Sequence, residues 1–137
     1  MKILGVDYGE ARMGIAASDE SEFLASGICC VKVKGMRDAV NAACQKATEL
    51  NCKKIVVGLP VNMNGTEGQR AHRVKMFADF LKEQSKLPVE MIDERRTTIM
   101  ASSYMNETGT SGKKRKEVID TLSAQIILQT YLDTKKR

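Results

Sequence analysis

The chain has 137 residues and a formal net charge of +5, with 42% hydrophobic and 28% charged residues. These values predict one soluble globular domain over residues 1–137, and no apolar run approaches the roughly 18 residues that a membrane span requires. Asp7 interrupts the first apolar run before a signal-type segment could form, which favours a cytoplasmic protein.

Five strands and four helices are predicted in the chain. Apolar runs bounded by turn formers predict strands over Lys2–Tyr8, Met13–Ser18, Ser26–Val33, Lys54–Leu59 and Pro88–Ile92. Helical spacing of apolar residues predicts helices over Arg37–Leu50, Gln69–Gln84, Thr97–Met105 and Lys116–Leu132. The first three strands should pair antiparallel, and helical crossovers should make the later two parallel. This order is that of the ribonuclease H-like fold, an α/β architecture with a mixed five-stranded sheet flanked by helices.

Three acidic residues lie where an apolar element should not tolerate a charge. Asp7 closes the first strand, Glu94 follows Asp93 at the end of the fifth, and Asp120 lies on an otherwise apolar helical stripe. An ionised carboxylate in such surroundings is costly unless something neutralises it. A divalent cation shared by several carboxylates does so, and such a site suits phosphodiester hydrolysis. We therefore predict that Asp7, Glu94 and Asp120 bind Mg²⁺ or Mn²⁺ and are catalytic, with Asp93 as a further candidate ligand.

Each of these acids also has a purely structural explanation. Asp7 precedes a glycine turn and could be a turn former. Asp93 and Glu94 could cap the helix predicted to begin near Thr97. Asp120 could be a favourable acid near a helix N-terminus.

Basic residues cluster beside the predicted acidic site. Arg95 and Arg96 directly follow Glu94, and four consecutive cations follow the glycine-containing loop Thr108–Gly112, which predicts a mobile arm that closes over a substrate. Such clusters suit a polyanion whose phosphates approach a metal, although a solvated face is the alternative, and residues 134–137 should be a frayed basic tail. The predicted nucleic-acid-binding residues are Asn64, Arg70, Arg73, Arg95, Arg96, Lys113, Lys114, Arg115 and Lys116.

The aromatic and cysteine contents narrow the choice further. With three Tyr, three Phe and no Trp, recognition of backbone and shape is favoured over base stacking. Four cysteines without C-x-x-C spacing and a single histidine argue against a zinc site or a disulfide framework. The cysteines are expected to be small buried hydrophobic residues, and His72 a solvated helix residue.

Four motifs in order resemble the YqgF-type family over Lys2 to Leu132. They are Asp7-Tyr8-Gly9, Gly58-Leu59-Pro60 with Met63-Asn64-Gly65-Thr66, Asp93-Glu94-Arg95-x-Thr97-Thr98, and Ile119-Asp120-x-x-x-Ala124-x-x-Ile127-Leu128. Members of that family are described as Holliday junction resolvases or as nucleases of pre-16S rRNA. The resemblance implies a bacterial, cytoplasmic, metal-dependent nuclease of ribonuclease H-like fold that acts on structured nucleic acid, with the 5′ end of pre-16S rRNA as the expected substrate.

A two-metal site would use these carboxylates in different ways. Asp7 would bridge both ions, Asp120 would complete one and Glu94 the other. Related resolvases usually carry an acid at the end of the fourth strand, but here that strand ends Gly58-Leu59-Pro60. The second carboxylate must therefore come from the fifth strand or from Glu67, and one or two ions remain alternatives.

Three rival functions fit parts of the sequence. A Holliday junction resolvase would act as a homodimer, because two sites must cut opposite strands. A non-catalytic RNA-binding or ribosome-binding module would need no complete acidic set. The segment from Asp7 to Gly14 also fits a hairpin that grips ATP phosphates, but proteins built on that hairpin need two such lobes, and 137 residues supply one.

Overall fold

The computed structural model describes the backbone of residues 1–61, 65–93 and 112–135, and the side chains of these residues other than 112–116. Its strands are β1 (Lys2–Asp7), β2 (Arg12–Ser18), β3 (Ala25–Lys32), β4 (Cys52–Leu59) and β5 (Val89–Asp93). Its helices are α1 (Met36–Glu49), α2 (Gln69–Ser85) and α3 (Gly112–Lys135). The helix predicted over Thr97–Met105 lies outside the described residues. Within the described residues, none of the helices combines the length and apolarity of a membrane span.

The strands form one mixed sheet in the order β3-β2-β1-β4-β5. Strand β1 pairs antiparallel with β2 and parallel with β4, while β2 pairs antiparallel with β3 and β4 pairs parallel with β5. This arrangement confirms the predicted sheet of three antiparallel strands followed by two parallel ones. Central β1 is covered on both faces, which explains its continuous apolar sequence.

Helices cover the two faces of the sheet unequally. Leu4 and Val6 of β1 point toward α1 and α2, in a cluster that also contains Phe77 of α2. Alternate residues point to the other face, where Ile3 packs in a cluster with residues of α3 such as Leu128. Among the described helices, α3 is the one that covers the second face, and its position decides which of the described residues reach the end of β1.

Helix α3 lies directly on three glycines of neighbouring strands. A Cβ atom at Gly14 of β2 would be 1.9 Å from the carbonyl oxygen of Asp120. A Cβ at Gly5 of β1 would be 2.7 Å from Leu128 Cβ, and one at Gly27 of β3 would be 2.8 Å from the Thr121 side chain. The missing side chains let the helix backbone approach the sheet more closely than any other residue would allow.

The N-terminus of α3 corrects one prediction. The helix begins at Gly112, so the backbone of Lys113, Lys114, Arg115 and Lys116 is helical and does not form the predicted loop arm. Lysine and arginine are good helix formers, and here their propensity prevails over the unfavourable placement of cations at a helix N-terminus. Of the predicted basic tail, residues 134 and 135 are still helical, while Lys136 and Arg137 lie outside the described residues.

The cysteine prediction is confirmed only in part. Cys52 is buried, but Cys29, Cys30 and Cys44 are half-buried, and all four are free thiols. Cys29 and Cys30 belong to β3, which is an edge strand of the described sheet. The outer edge of β3 therefore has no neighbouring strand in that sheet to cover them. His72 is exposed on α2, as predicted.

Candidate active site

Asp7 stands at the carboxyl end of β1, near the middle of the sheet. It is 8% exposed, and its register partner across the antiparallel pair is Gly14. Strand alternation places Asp7 on the same face as Ile3 and Gly5, which is the face covered by α3. The carboxylate predicted as the central ligand is therefore buried on the side of the sheet that α3 approaches.

Asp120, near the other end of the chain, lies on α3 over the strand next to that of Asp7. Its carbonyl oxygen lies against Gly14, the strand partner of Asp7, so the α3 backbone meets the sheet one strand away from Asp7. The side chain of Asp120 is 25% exposed, and Ala124 and Ile127 of the same helix are buried, as predicted from the apolar stripe. The fold thus places Asp7 on β1 and the backbone of Asp120, on α3, over the adjacent strand β2, both on one face of the sheet.

An ion pair that the sequence analysis missed holds the Asp120 carboxylate. Arg12 donates a hydrogen bond from Nε to Oδ2 of Asp120 over 2.9 Å, and the thiol of Cys30 lies 3.8 Å from the same oxygen. The hydrogen bond to Asp120 raises the pKa of the Arg12 guanidinium. Arg12 precedes Gly14 by two residues on β2, so the two-residue period of a strand was the available signal that it points toward α3.

Cys30 is chemically quiet in this position. Burial, and then the negative charge of Asp120, raise the pKa of the Cys30 thiol to about 11. The thiol is therefore protonated at neutral pH and can donate weakly to Asp120, whereas a metal ligand or nucleophile would have to be a thiolate.

The described carboxylates fit a hard divalent cation. Mg²⁺ is usually held by one or two protein carboxylates together with waters and substrate phosphates, so Asp7 and Asp120 supply a suitable minimum. No group of three or more potential His, Cys, Asp or Glu ligands occurs within residues 1–61, 65–93 and 112–135. Glu94, the third predicted ligand, lies outside those residues.

The two other acids considered as ligands have different surroundings. Ile92 of β5 packs against the apolar cluster that contains Ile3 and Leu128, on the face covered by α3. Because successive side chains of a strand point to opposite faces, Asp93 lies on the opposite face from Asp7. Glu67 forms an ion pair with Lys75 of α2. Neither position adds a carboxylate to Asp7 and Asp120 in the described part of the chain.

Of the predicted nucleic-acid-binding residues, two have described side chains. Arg70 is exposed in the first turn of α2. Arg73, one turn later, pairs with Glu10 over 2.8 Å, and Glu10 lies in the turn that follows Asp7. The start of α2 is therefore tied to the end of β1 that carries the buried carboxylate. Asn64, Arg95 and Arg96 lie outside the described residues, and Lys113 to Lys116 are placed by their backbone only.

A comparison with protein families places this chain. The model of the family described as "RuvX: Holliday junction resolvase" matches residues 1–134. The chain belongs to the RuvX family. Membership confirms the resemblance to the YqgF-type family that the four motifs indicated.

Curated relatives of this RuvX chain match it over almost its whole length. A protein of Caldanaerobacter subterraneus is 42% identical in an alignment that covers 99% of this chain and 99% of that protein. A protein of Clostridium novyi is 40% identical over 98% of this chain and 99% of its own length. Both are named "Putative pre-16S rRNA nuclease".

Solved structures establish the fold of this RuvX family member. The Fowlpox virus resolvase in complex with Holliday junction DNA has a TM-score of 0.63 and 12% identity, and the match covers 100% of both chains. The RuvC protein of Thermus thermophilus in complex with a Holliday junction substrate has a TM-score of 0.60 and 9% identity, covering 99% of this chain and 96% of that one. The predicted ribonuclease H-like fold is confirmed.

Proposed function

We propose that this RuvX family member is a metal-dependent nuclease that hydrolyses phosphodiester bonds and processes the 5′ end of pre-16S rRNA in the cytoplasm. The observation that carries the proposal is the placement of Asp7 at the end of β1 and of Asp120 over Gly14 of the adjacent strand β2, on one face of the sheet. A buried carboxylate at a strand end and a second one delivered by the covering helix are the oxygen donors that Mg²⁺ or Mn²⁺ prefers.

The roles of the residues follow from the elements that hold them. Asp7, on a short side chain fixed by the central strand, would be the central ligand of the divalent ions, and Asp120 and Glu94 would complete the ligand set. The bound ions would activate the attacking water and stabilise the leaving oxygen. Arg70 and Arg73 at the start of α2, together with Arg95, Arg96 and Asn64, guide the phosphate backbone toward the carboxylates.

The choice of substrate rests on the relatives. Proteins that match this chain at 40% identity or more over nearly its full length carry the name of a pre-16S rRNA nuclease. The description of the family favours a second candidate, a Holliday junction resolvase, which would act as a homodimer. Both candidates bind nucleic acid and use the same carboxylates.

One experiment separates the candidates. The purified chain is incubated with Mn²⁺ or with a chelator on an end-labelled pre-16S rRNA fragment and on a four-way DNA junction. We expect cleavage of the RNA with Mn²⁺, none in chelator, and little cutting of the junction. Preferred cutting of the junction would establish the resolvase instead. Binding of both substrates without cleavage under any metal condition would identify a non-catalytic module.

The basic first turn of α3 provides a further prediction. Replacing Lys113, Lys114, Arg115 and Lys116 with glutamine should weaken nucleic-acid binding similarly on all sequences, because cations contact phosphates and not bases. The slope of log affinity against log salt should flatten by up to about one unit per lost phosphate contact, measured by fluorescence anisotropy.

A matched variant removes the same charge from the other end of the sheet. Lys46, Lys53, Lys82 and Lys86 lie near the start of β4 and the end of α2, away from the carboxyl end of β1. Their replacement by glutamine should change the salt slope much less. Equal slopes for the two quadruple variants would show that the four cations from Lys113 to Lys116 form only a solvated surface.

A further inference from the structure

We propose that Arg12 is a positioning residue of the nuclease site, which holds Oδ2 of Asp120 and thereby leaves Oδ1 as the oxygen that binds the metal. This inference rests on the proposed function and adds to it a residue that acts through Asp120. Arg12 itself touches neither the metal nor the scissile bond in this assignment.

Both polar contacts found for the Asp120 carboxylate within the described residues use the same oxygen. Arg12 Nε lies 2.9 Å from Oδ2, and Cys30 Sγ lies 3.8 Å from it. The ion pair is only partly shielded from water, since the side chains of Arg12 and Asp120 are 32% and 25% exposed. These two contacts restrict rotation of the carboxylate about its bond to Cβ, and they thereby restrict the direction of its second oxygen.

Strand β2 contacts both the backbone and the side chain of Asp120. The Asp120 carbonyl oxygen packs against Gly14 of β2. Arg12, two residues earlier on the same face of β2, donates a hydrogen bond to the Asp120 carboxylate. Asp7 is the register partner of Gly14 across the β1–β2 pair. The rigid ladder of β1 and β2 therefore sets where Asp120 stands relative to Asp7.

Two physical effects of Arg12 on metal binding have opposite signs. Hydrogen bonds from outer residues orient ligating carboxylates, and their loss typically lowers metal affinity 10–100-fold. The positive charge of Arg12, in contrast, repels a cation at the neighbouring carboxylate, so its removal alone would raise the affinity. A positioning residue predicts weaker metal binding when Arg12 is removed, and a residue that only neutralises Asp120 predicts tighter binding.

The test measures binding of Mn²⁺ to the full chain by calorimetry, without nucleic acid. Arg12→Gln should lower the affinity about 10–100-fold. Arg12→Lys keeps the charge but replaces the planar guanidinium with a flexible ammonium, so the affinity should fall by less. Tyr131→Phe is the matched control, because it also removes a hydrogen bond between α3 and a sheet carboxylate, that of Glu90. Its Mn²⁺ affinity should equal that of the unchanged chain.

The possible results are decisive in each direction. Unchanged or tighter Mn²⁺ binding by Arg12→Gln would overturn the positioning role. If that variant fails to fold, Arg12→Lys decides, and an unchanged affinity in it would also overturn the role. Absence of Mn²⁺ binding by the unchanged chain, or full binding by Asp7→Asn, would instead defeat the proposed function. The two failures are therefore distinguishable.

Discussion

Asp7→Asn is expected to abolish metal-dependent cleavage while leaving the fold and nucleic-acid binding intact. Asparagine has the same shape as aspartate, but it lacks the charge that a bridging ligand needs. Because loss of an outer partner of a ligand already costs 10–100-fold, loss of the ligand itself should lower the cleavage rate by more than about 100-fold. Asp120→Asn should behave alike, and Glu94→Gln should be more severe than Asp93→Asn.

Rates are measured at saturating Mn²⁺, together with thermal unfolding and binding in chelator. Asp7 is 8% exposed, and a buried charge costs desolvation energy, so Asp7→Asn should be at least as stable as the unchanged chain without metal. Asp79→Asn makes the same change at an exposed position of α2 and should retain full activity. An Asp7→Asn variant with undiminished cleavage would refute the metal-dependent mechanism.

Gly14→Ala is expected to have the largest effect on stability and to remove activity as well. The new Cβ would lie 1.9 Å from the backbone oxygen of Asp120, so α3 must move away from the sheet. Overpacking commonly costs 1–3 kcal/mol, and a clash with backbone belongs at the upper end, about 3 kcal/mol or more. For a domain of this size the midpoint of thermal unfolding should fall by roughly 10 °C.

Gly68→Ala supplies the matched comparison. No atom lies within 4 Å of a Cβ at Gly68, and its φ of −105° is open to any residue, so stability should change little. Unfolding is followed by circular dichroism, and cleavage is measured well below the lowered midpoint. If Gly14→Ala unfolds like Gly68→Ala, the close approach of α3 to β2 is not maintained in solution.

The fold was predictable because its signals are local. Apolar alternation and turn formers located all five strands to within about two residues, and the order of strands and helices then fixed which pairs are parallel. The start of α3 was placed too late because Lys113 to Lys116 read as a charged loop. These residues become helical because the rest of α3 is stabilised by packing against the sheet. That packing cannot be read from the local sequence pattern.

The candidate site could be predicted one residue at a time but not as a set. Asp7 and Asp120 were singled out as candidates because each places a charge in an apolar pattern. Arg12 was missed because its partner is 108 positions away: the two-residue period of β2 indicates the face of Arg12, but not the residue that it contacts there. The proposed role of Arg12 depends on the register of β2 against β1 and on the distance of α3 from the sheet. Both are set by tertiary contacts.

The glycine contacts beneath α3 also determine how stiff the site is. Side chains in a core can exchange rotamers, but a carbonyl oxygen resting on a glycine Cα has no rotamer to exchange. The spacing between β2 and the Asp120 backbone therefore depends on main-chain atoms at this contact. Substitutions of core residues on the other face of the sheet, such as Phe77, can lower stability without altering that contact, so stability and the geometry of the candidate site can vary independently in this chain.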